Sequence, residues 1–488
     1  MSAGQPKRAF IAGAFWTVGM RWAVKGIGFI NTVIMARLLA PADYGLVAMA
    51  MLVVGLIGAF LDMGTEVALL RKDEVSKDEI DSAWTLQAVQ GVVIGVIVAA
   101  VSVPAMHYFE EPRVGPMLWV LGACVAIGGL QNVGMVLAQK QLNFKLEFWH
   151  AVAAKVLSVV ATIVAGLTLG DYRALLIGIA TGYVGGTLLS YVMHPYRPRW
   201  NTRESRAVWN VSKWLMVGNM GGYLLGKADE LAAARIGSTA EYGTYNVGAD
   251  LGSLPVTSIG PAVMQSMLPV LAKLEGQPER TNAAITKIIS ALNTITLPLG
   301  AAVAALATPI ALVVLGAKWP EAATYIAIFA LCGSVRFTVN PLGAQMVLRN
   351  HTRIASRMVW FEFAFFIAGA LVLVPLYAIT GLALARLAAL TGNAAVVAWT
   401  ARRCCDLSLR PIAFALARPF VGAVLMAGLI TLVIGQWHTP LLQLIGGSVV
   451  GGLFFAAWSF ATWHLVGRPE GLESTLIDMS RHWRARPA

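Results

Sequence analysis

Arg21 and Lys25 stand four residues apart in a mostly apolar run, with Thr17 one turn before them and Thr32 two turns after Lys25. On a helix these positions share one face. Such a stripe can hold a phosphate or a carboxylate, Arg acting as a planar fork and Lys as a point charge. Polar stripes recur at Asn219, Tyr223, Lys227 and Glu230, at Asn246, Asp250, Ser253 and Thr257, and at Arg336 with Asn340. Arg21, Lys25, Lys227 and Arg336 are therefore the candidate anion-binding residues. Asp62, Asp229, Glu230 and Asp250 are the candidate ion-coupling or cavity-lining acids. Each also has a plainer reading. Lys227 and Glu230 can pair with each other, Asp229 faces another side of its helix, and Asp62 and Glu66 can pair with Arg71 or Lys72. Lys155, Glu362, Arg386 and Arg418 fall near span ends, where a long side chain reaches the interface.

Other chemistry lacks its motifs. The seven histidines show no HExxH spacing, and Cys124, Cys332, Cys404 and Cys405 form no CxxC pair, so no metal is expected. No GxxxxGK[ST] segment is present to hold ATP, and no cofactor motif is found. Catalytic residues are not expected. The cysteine pair 404–405 sits beside basic residues and should stay reduced.

These residues must be positioned by elements of one kind. Of 488 residues, 57% are apolar and only 13% charged, and the mean hydropathy is +0.69. A soluble domain carries about 25% charged residues. Crossing ~30 Å of hydrocarbon takes about 20 apolar residues. Runs of that length lie near 10–38, 44–70, 80–106, 115–138, 149–169, 172–194, 208–236, 241–270, 283–315, 318–346, 354–378, 380–402, 412–435 and 441–466. The pattern predicts an all-α integral membrane protein with about 14 transmembrane helices. Lys7 and Arg8 precede an AGA triplet too closely for a signal-peptide core, so the first span should be retained.

The net charge of +12 is spread between the spans, which argues against a nucleic-acid patch. One set of loops carries most Lys and Arg, among them Lys7, Arg8, Lys77, Lys140, Arg203, Arg349 and Arg403; the alternate loops hold only Arg37, Arg113, Arg173, Arg235 and Lys318. The positive-inside bias then places both termini in the cytosol of an inner membrane. All outward loops are short, leaving no room for an outer catalytic domain.

An internal repeat organises the spans. ARLLAPADYG (36–45) and ARIGSTAEYG (234–243) align at a constant offset, matching Ala36/Ala234, Arg37/Arg235, Tyr44/Tyr242 and Gly45/Gly243, with Asp43 replaced by Glu241. Each segment joins the first two helices of a six-helix half. The expected division is an N-terminal lobe over 1–200, a second over 201–410, and an extra helix pair with a cytosolic tail over 411–488. Two pseudo-symmetric lobes would flank a central cavity. Prolines 255, 261, 269, 298 and 309 should kink their helices. GxxxG pairs such as Gly91/Gly95 should mark close packing.

The segments ARLLAPADYGLVAMA and FLDMGTEVALLRKDE resemble the N-terminal signature of Wzx-type polysaccharide flippases, in the multidrug/oligosaccharidyl-lipid/polysaccharide exporter superfamily. EEPRVGPML, LAQKQLNFK, KADELAAARIGSTAEYGTYNVGADLGSLPV and MLPVLAKLEG extend the likeness over about residues 10–410. Glu66 and Glu230 depart from it as extra acids. The resemblance implies a bilobed helical fold and export of an undecaprenyl-diphosphate-linked oligosaccharide for exopolysaccharide, capsule or O-antigen assembly. Its implied partners are that substrate, the bilayer, a polysaccharide polymerase and a chain-length regulator, with no nucleic acid. Two other readings stay open: a cation-coupled drug exporter, which would want an acidic cavity, and a membrane polymerase or ligase, which would want a large outward loop.

Overall fold

A backbone in hydrocarbon must satisfy its own hydrogen bonds, which favours long helices. The computed structural model describes residues 5–61, 69, 75–203, 222–224, 226–273, 277–349 and 351–465, and among these there is no strand. The chain divides into two units, Met1–Gly243 and Thr244–Ala488. Unit 1 contains α1 (Gln5–Leu38), α2 (Pro41–Leu61), α3 (Lys77–Ala100), α4 (Ser102–Phe109), α5 (Val114–Gly128), α6 (Gly134–Lys140), α7 (Phe144–Leu169), α8 (Arg173–Met193) and α9 (226–236). Helix α10 (Thr239–Lys273) starts in unit 1 and continues into unit 2. There α11 (Pro278–Ala305), α12 (Ala307–Ile310), α13 (Ala322–Leu348), α14 (Thr352–Cys405), α15 (Leu409–Ile434) and α16 (Pro440–Leu465) follow. Nine helices among the described residues are long and apolar enough to cross a membrane. The all-helical membrane architecture expected from the sequence is the one found.

Local chemistry sets several boundaries. At the start of α3, Ser76 Oγ accepts from the Glu79 amide and Glu79 Oε2 from the Ser76 amide, a reciprocal cap. Helix α11 breaks at Leu306, which is followed by Pro309 and the π-helical turn Ala311–Leu315. Proline has no N–H to reach the carbonyl four residues back, so a break here is expected. Helix α14 is two helices: Ala378, at φ 49° and ψ −132°, separates them. Only two residues before the expected Thr380–Gly381 split, the chain doubles back so tightly that a Cβ on Gly381 would lie 2.3 Å from the Leu373 carbonyl oxygen.

In unit 1, α7 packs along both α1 and α8, and α5 packs on α3. The α1–α7 pair is parallel, since Gly13 meets Phe144, Gly28 meets Lys155 and Met35 meets Gly166. The GxxxG expectation holds for α3, where added Cβ atoms would come within 2.7 Å of Gly129 Cα at Gly91 and 2.4 Å of the Gly122 oxygen at Gly95. In unit 2, α11 packs against α13 and α15, and α13 against α14.

The loops of unit 1 sort to two ends. Asp43 Oδ1 accepts from the Tyr172 amide, the Arg235 guanidinium pairs with Glu110 at 2.8 Å, and Tyr108 donates to the Leu231 carbonyl. These residues all come from the loops poor in Lys and Arg or the helix ends beside them. At the other end an extended strap over 194–203 is tied down by Asn132 Nδ2 to the Tyr196 carbonyl, by the Tyr196 hydroxyl to Asp81 and by the Asn201 amide to Thr85. Burial and the neighbouring Asp81 carboxylate push the Tyr196 phenol well above its usual range.

The repeated loops meet inside unit 1. A Cβ on Gly45 would fall 1.8 Å from the Thr239 carbonyl oxygen, and one on Gly243 would fall 2.0 Å from that of Pro41. Positions 41/239 and 45/243 share the repeat offset, so the contact is locally two-fold. Asp43 Oδ2 accepts from the Ala40 amide, and Glu241 Oε2 from the Ser238 amide, so the one acidic exchange in the repeat keeps its capping role.

Candidate functional site

Helix α1 explains its basic stripe by what its other face must do. Trp16 packs edge-on against Phe148 at 5.1 Å, and Gly13, Gly28 and Met35 lie against α7. Arg21 and Lys25 are left exposed near mid-helix, with half-buried Thr32 bonded back to the Gly28 carbonyl. An ionisable pair at this depth is costly in lipid and calls for a polar surrounding. Trp22 stays 55% exposed, whereas the Tyr223 hydroxyl is committed to the Leu52 carbonyl at 3.2 Å.

On α9, the Lys227 ammonium is hydrogen-bonded to Glu230, an i,i+3 pair whose carboxylate is mostly buried. Asp229 is buried on the opposite flank. Asp250 is exposed on α10, where Ser253 and Thr257 bond to their own helix carbonyls. Asp62, Glu66, Arg71, Lys72 and Asn219 lie outside the described residues.

In unit 2, Arg336 is one member of a larger group. Its guanidinium stands 3.8 Å from Glu362 Oε1, Arg386 stands 3.9 Å from the same oxygen, and Asn393 Nδ2 donates to Glu362 Oε2 at 3.3 Å. Arg386 is only 5% exposed, while the Arg336 side chain is 44% exposed. Two guanidiniums flank one carboxylate, and Arg336 is the more exposed of the two. The sequence reading put Glu362 and Arg386 near span ends as interface-reaching side chains. Their shared burial between the two arms of α14 corrects that reading.

A cavity of about 720 Å³ lies within unit 1 among α1, α3, α5, α7 and α8. Polar groups on its wall include Gln87, Gln90, Gln131, Lys155, Ser158 and Tyr183. Lys155 is near the middle of the span Phe144–Leu169, not at its end. The sequence reading began this helix at 149 and so placed the lysine one turn too close to the interface. Its Nζ would lie 3.8 Å from a Cβ on Gly28, one turn along α1 from Lys25. Gln87 and Gln90, amides at i and i+3 inside the apolar run 80–106, are the sequence signal that marks this wall.

Among the described residues no cluster of His, Cys, Asp and Glu could hold a metal. The cavity wall in unit 1 offers one basic and several neutral polar groups, whereas the groups around Lys227 and Arg336 hold acids as well.

Comparison with known proteins fits this picture. Residues 34–324 match the model of a family described as polysaccharide biosynthesis protein. The chain is 21% identical over 361 residues to the lipopolysaccharide biosynthesis protein WzxC of Escherichia coli K12, covering 73% of each chain. It is 20% identical over 487 residues to the succinoglycan biosynthesis transport protein ExoT of Rhizobium meliloti strain 1021, covering 97% of this chain and 96% of that one. In fold it is similar to the lipid II flippase MurJ in an inward closed conformation, with a TM-score of 0.74, 12% identity and coverage of 93% and 99%. An inward-facing multidrug resistance MATE family transporter of the MOP superfamily superposes with a TM-score of 0.58 at 15% identity, over 78% and 94% of the two chains. The chain is thus a multi-pass membrane protein with the fold of this superfamily, and it belongs to the polysaccharide biosynthesis protein family.

Proposed function

We propose that the protein exports undecaprenyl-diphosphate-linked oligosaccharide repeat units across the bacterial inner membrane by alternating access, leaving them chemically unchanged. The observation that carries this reading is the exposed cationic face of mid-helix α1, Arg21 and Lys25, in a member of a polysaccharide biosynthesis family. The names of its relatives WzxC and ExoT, and the fold shared with a lipid II flippase, point the same way.

In this reading Arg21 and Lys25 meet the diphosphate, with Lys227 and Arg336 as further cationic contacts. Sugar hydroxyls are carried among polar side chains and water, because an unpaired hydroxyl costs several kcal/mol in hydrocarbon. The polyprenyl tail stays in lipid throughout. Both termini face the cytosol, and an inside-negative potential favours outward movement of the anion by ~2.3 kcal/mol per charge per 100 mV. Asp62, Asp229, Glu230 and Asp250 are the candidates for ion coupling. A polymerase and a chain-length regulator are the proposed partners that receive the exported unit.

Reconstitution tests it. A fluorescent undecaprenyl-diphosphate trisaccharide placed in proteoliposomes should become fully reducible by external dithionite with wild-type protein, and only about half reducible without it. Full reducibility with the Arg21→Ala/Lys25→Ala variant would show that the diphosphate is met elsewhere.

A further inference from the structure

We propose that the cavity inside unit 1 is a binding site for an acidic sugar residue, with Lys155 pairing its carboxylate and the surrounding amides and hydroxyls taking its ring hydroxyls. This rests on the reading of the protein as an exporter of lipid-linked saccharide, and it names a chemical feature of the cargo.

Four observations support it. The volume of about 720 Å³ falls within the roughly 300–1,000 Å³ of small-ligand sites. Lys155 supplies a positive charge to the wall, and among the described residues neither Asp nor Glu lines it, so the site favours an anion. A single ammonium matches one carboxylate better than a diphosphate, which carries more charge and is better served by several cations. Finally, the side chains of Gln87, Gln90 and Gln131 and the Tyr183 hydroxyl supply donors and acceptors together, and Ser158 Oγ, whose proton goes to the Gly178 carbonyl at 2.7 Å, adds an acceptor, which suits a ring bearing several hydroxyls.

The neighbouring groups keep Lys155 directed at the cavity. Its ammonium lies against Gly28, where α1 presents no side chain. His150 Nε2 is engaged with the Gly186 carbonyl at 2.9 Å, and since a carbonyl only accepts, that nitrogen carries the proton. The imidazole therefore directs its Nε2 donor into the helix pair and away from the cavity. Cavity-lining Gln131 and His150 also lie near the strapped end of unit 1, which the charge bias assigns to the cytosol, the face where a lipid-linked unit would be loaded.

Binding to the full chain in nanodiscs tests this with three probes: undecaprenyl diphosphate alone, the same lipid carrying glucosyl-glucose, and the same lipid carrying glucuronyl-glucose. Wild-type protein should bind the glucuronyl probe about tenfold or more tighter than the glucosyl probe, the range of a charge-assisted pair. Lys155→Gln should abolish that preference while keeping its affinity for the glucosyl probe, which also reports that the variant is folded. Gly182→Leu is a second variant: Gly182 lines the cavity, and a Cβ there makes only 3.4 Å contacts with Ser158. It should lose the preference for sugar-bearing lipid but still bind the bare diphosphate. Equal binding of the two sugars by wild type, an equal loss for both in Lys155→Gln, or a preference surviving in Gly182→Leu would each overturn the assignment while leaving the export reading in place. Failure of all three lipids to bind wild type would overturn both.

Discussion

Arg386 and Glu362 are held in place by burial, whereas Arg21 and Lys25 are held out of it, and the two pairs should fail differently when cut. Arg386→Ala takes the more buried of two guanidiniums from Glu362, leaving Arg336 and Asn393 against it, and should cost about 1–3 kcal/mol. The expected outcome is a sharp loss of folded protein in detergent, recovered in part by Glu362→Gln in the same chain. Arg21→Ala and Lys25→Ala remove exposed groups, so protein abundance should stay near normal while transport stops. Arg21→Lys should retain part of it, because a point charge replaces a fork that can grip two oxygens. Immunoblot and transport assays on the same membranes separate these outcomes. A third expectation concerns Glu111, outside the spans. Its bond to Arg113 at 2.8 Å holds the carboxyl below its usual range despite the opposing effect of partial burial. A depressed carboxyl contributes only above its unfolded value and loses its contribution as pH falls through the folded one. The protection factor of the Glu110–Arg113 turn, the ratio of the unstructured to the observed exchange rate at the same pH, should therefore be constant near neutrality and fall in acid below the ordinary carboxylate range; Glu111→Gln should show the lower protection throughout.

The elements show what could be read from residues and what could not. The repeat was legible because Gly45 and Gly243 are forced: each admits the other loop's carbonyl, and no side chain fits there. Gly45→Val should destabilise unit 1 by about 2–3 kcal/mol, read as a lower melting temperature of the purified protein. The α14 break was legible only to within two residues, since Ala378 itself carries no turn signal. Its φ of 49° suits glycine, so Ala378→Gly should raise stability by about 1 kcal/mol. Lys155 was misplaced because an amphipathic first turn, Phe144–Trp149, hides the true start of α7 behind Lys145 and Glu147. Arg386 and Glu362 read as interface-reaching side chains for another reason. Their pairing joins two arms of a hairpin, and single-helix periodicity says nothing about which faces will meet. The basic stripe on α1, by contrast, lies on one helix and needed no partner to be seen.

For the whole molecule, the alternation of loops rich and poor in Lys and Arg is the ground for the proposed orientation. Cysteine accessibility in intact cells should label positions near Glu111 and Lys318 from outside and leave Arg203→Cys unlabelled. The central claim is that the protein moves a lipid-linked saccharide and does not alter it. A polymerase defect would leave single units on the outer leaflet, and loss of a drug exporter would leave the polymer intact while changing toxin sensitivity. The most direct measurement is the leaflet distribution of lipid-linked repeat units in a deletion strain with no second flippase. The account predicts loss of the surface polymer with complete units accumulating on the cytosolic leaflet. Complete units found on the outer leaflet would contradict it.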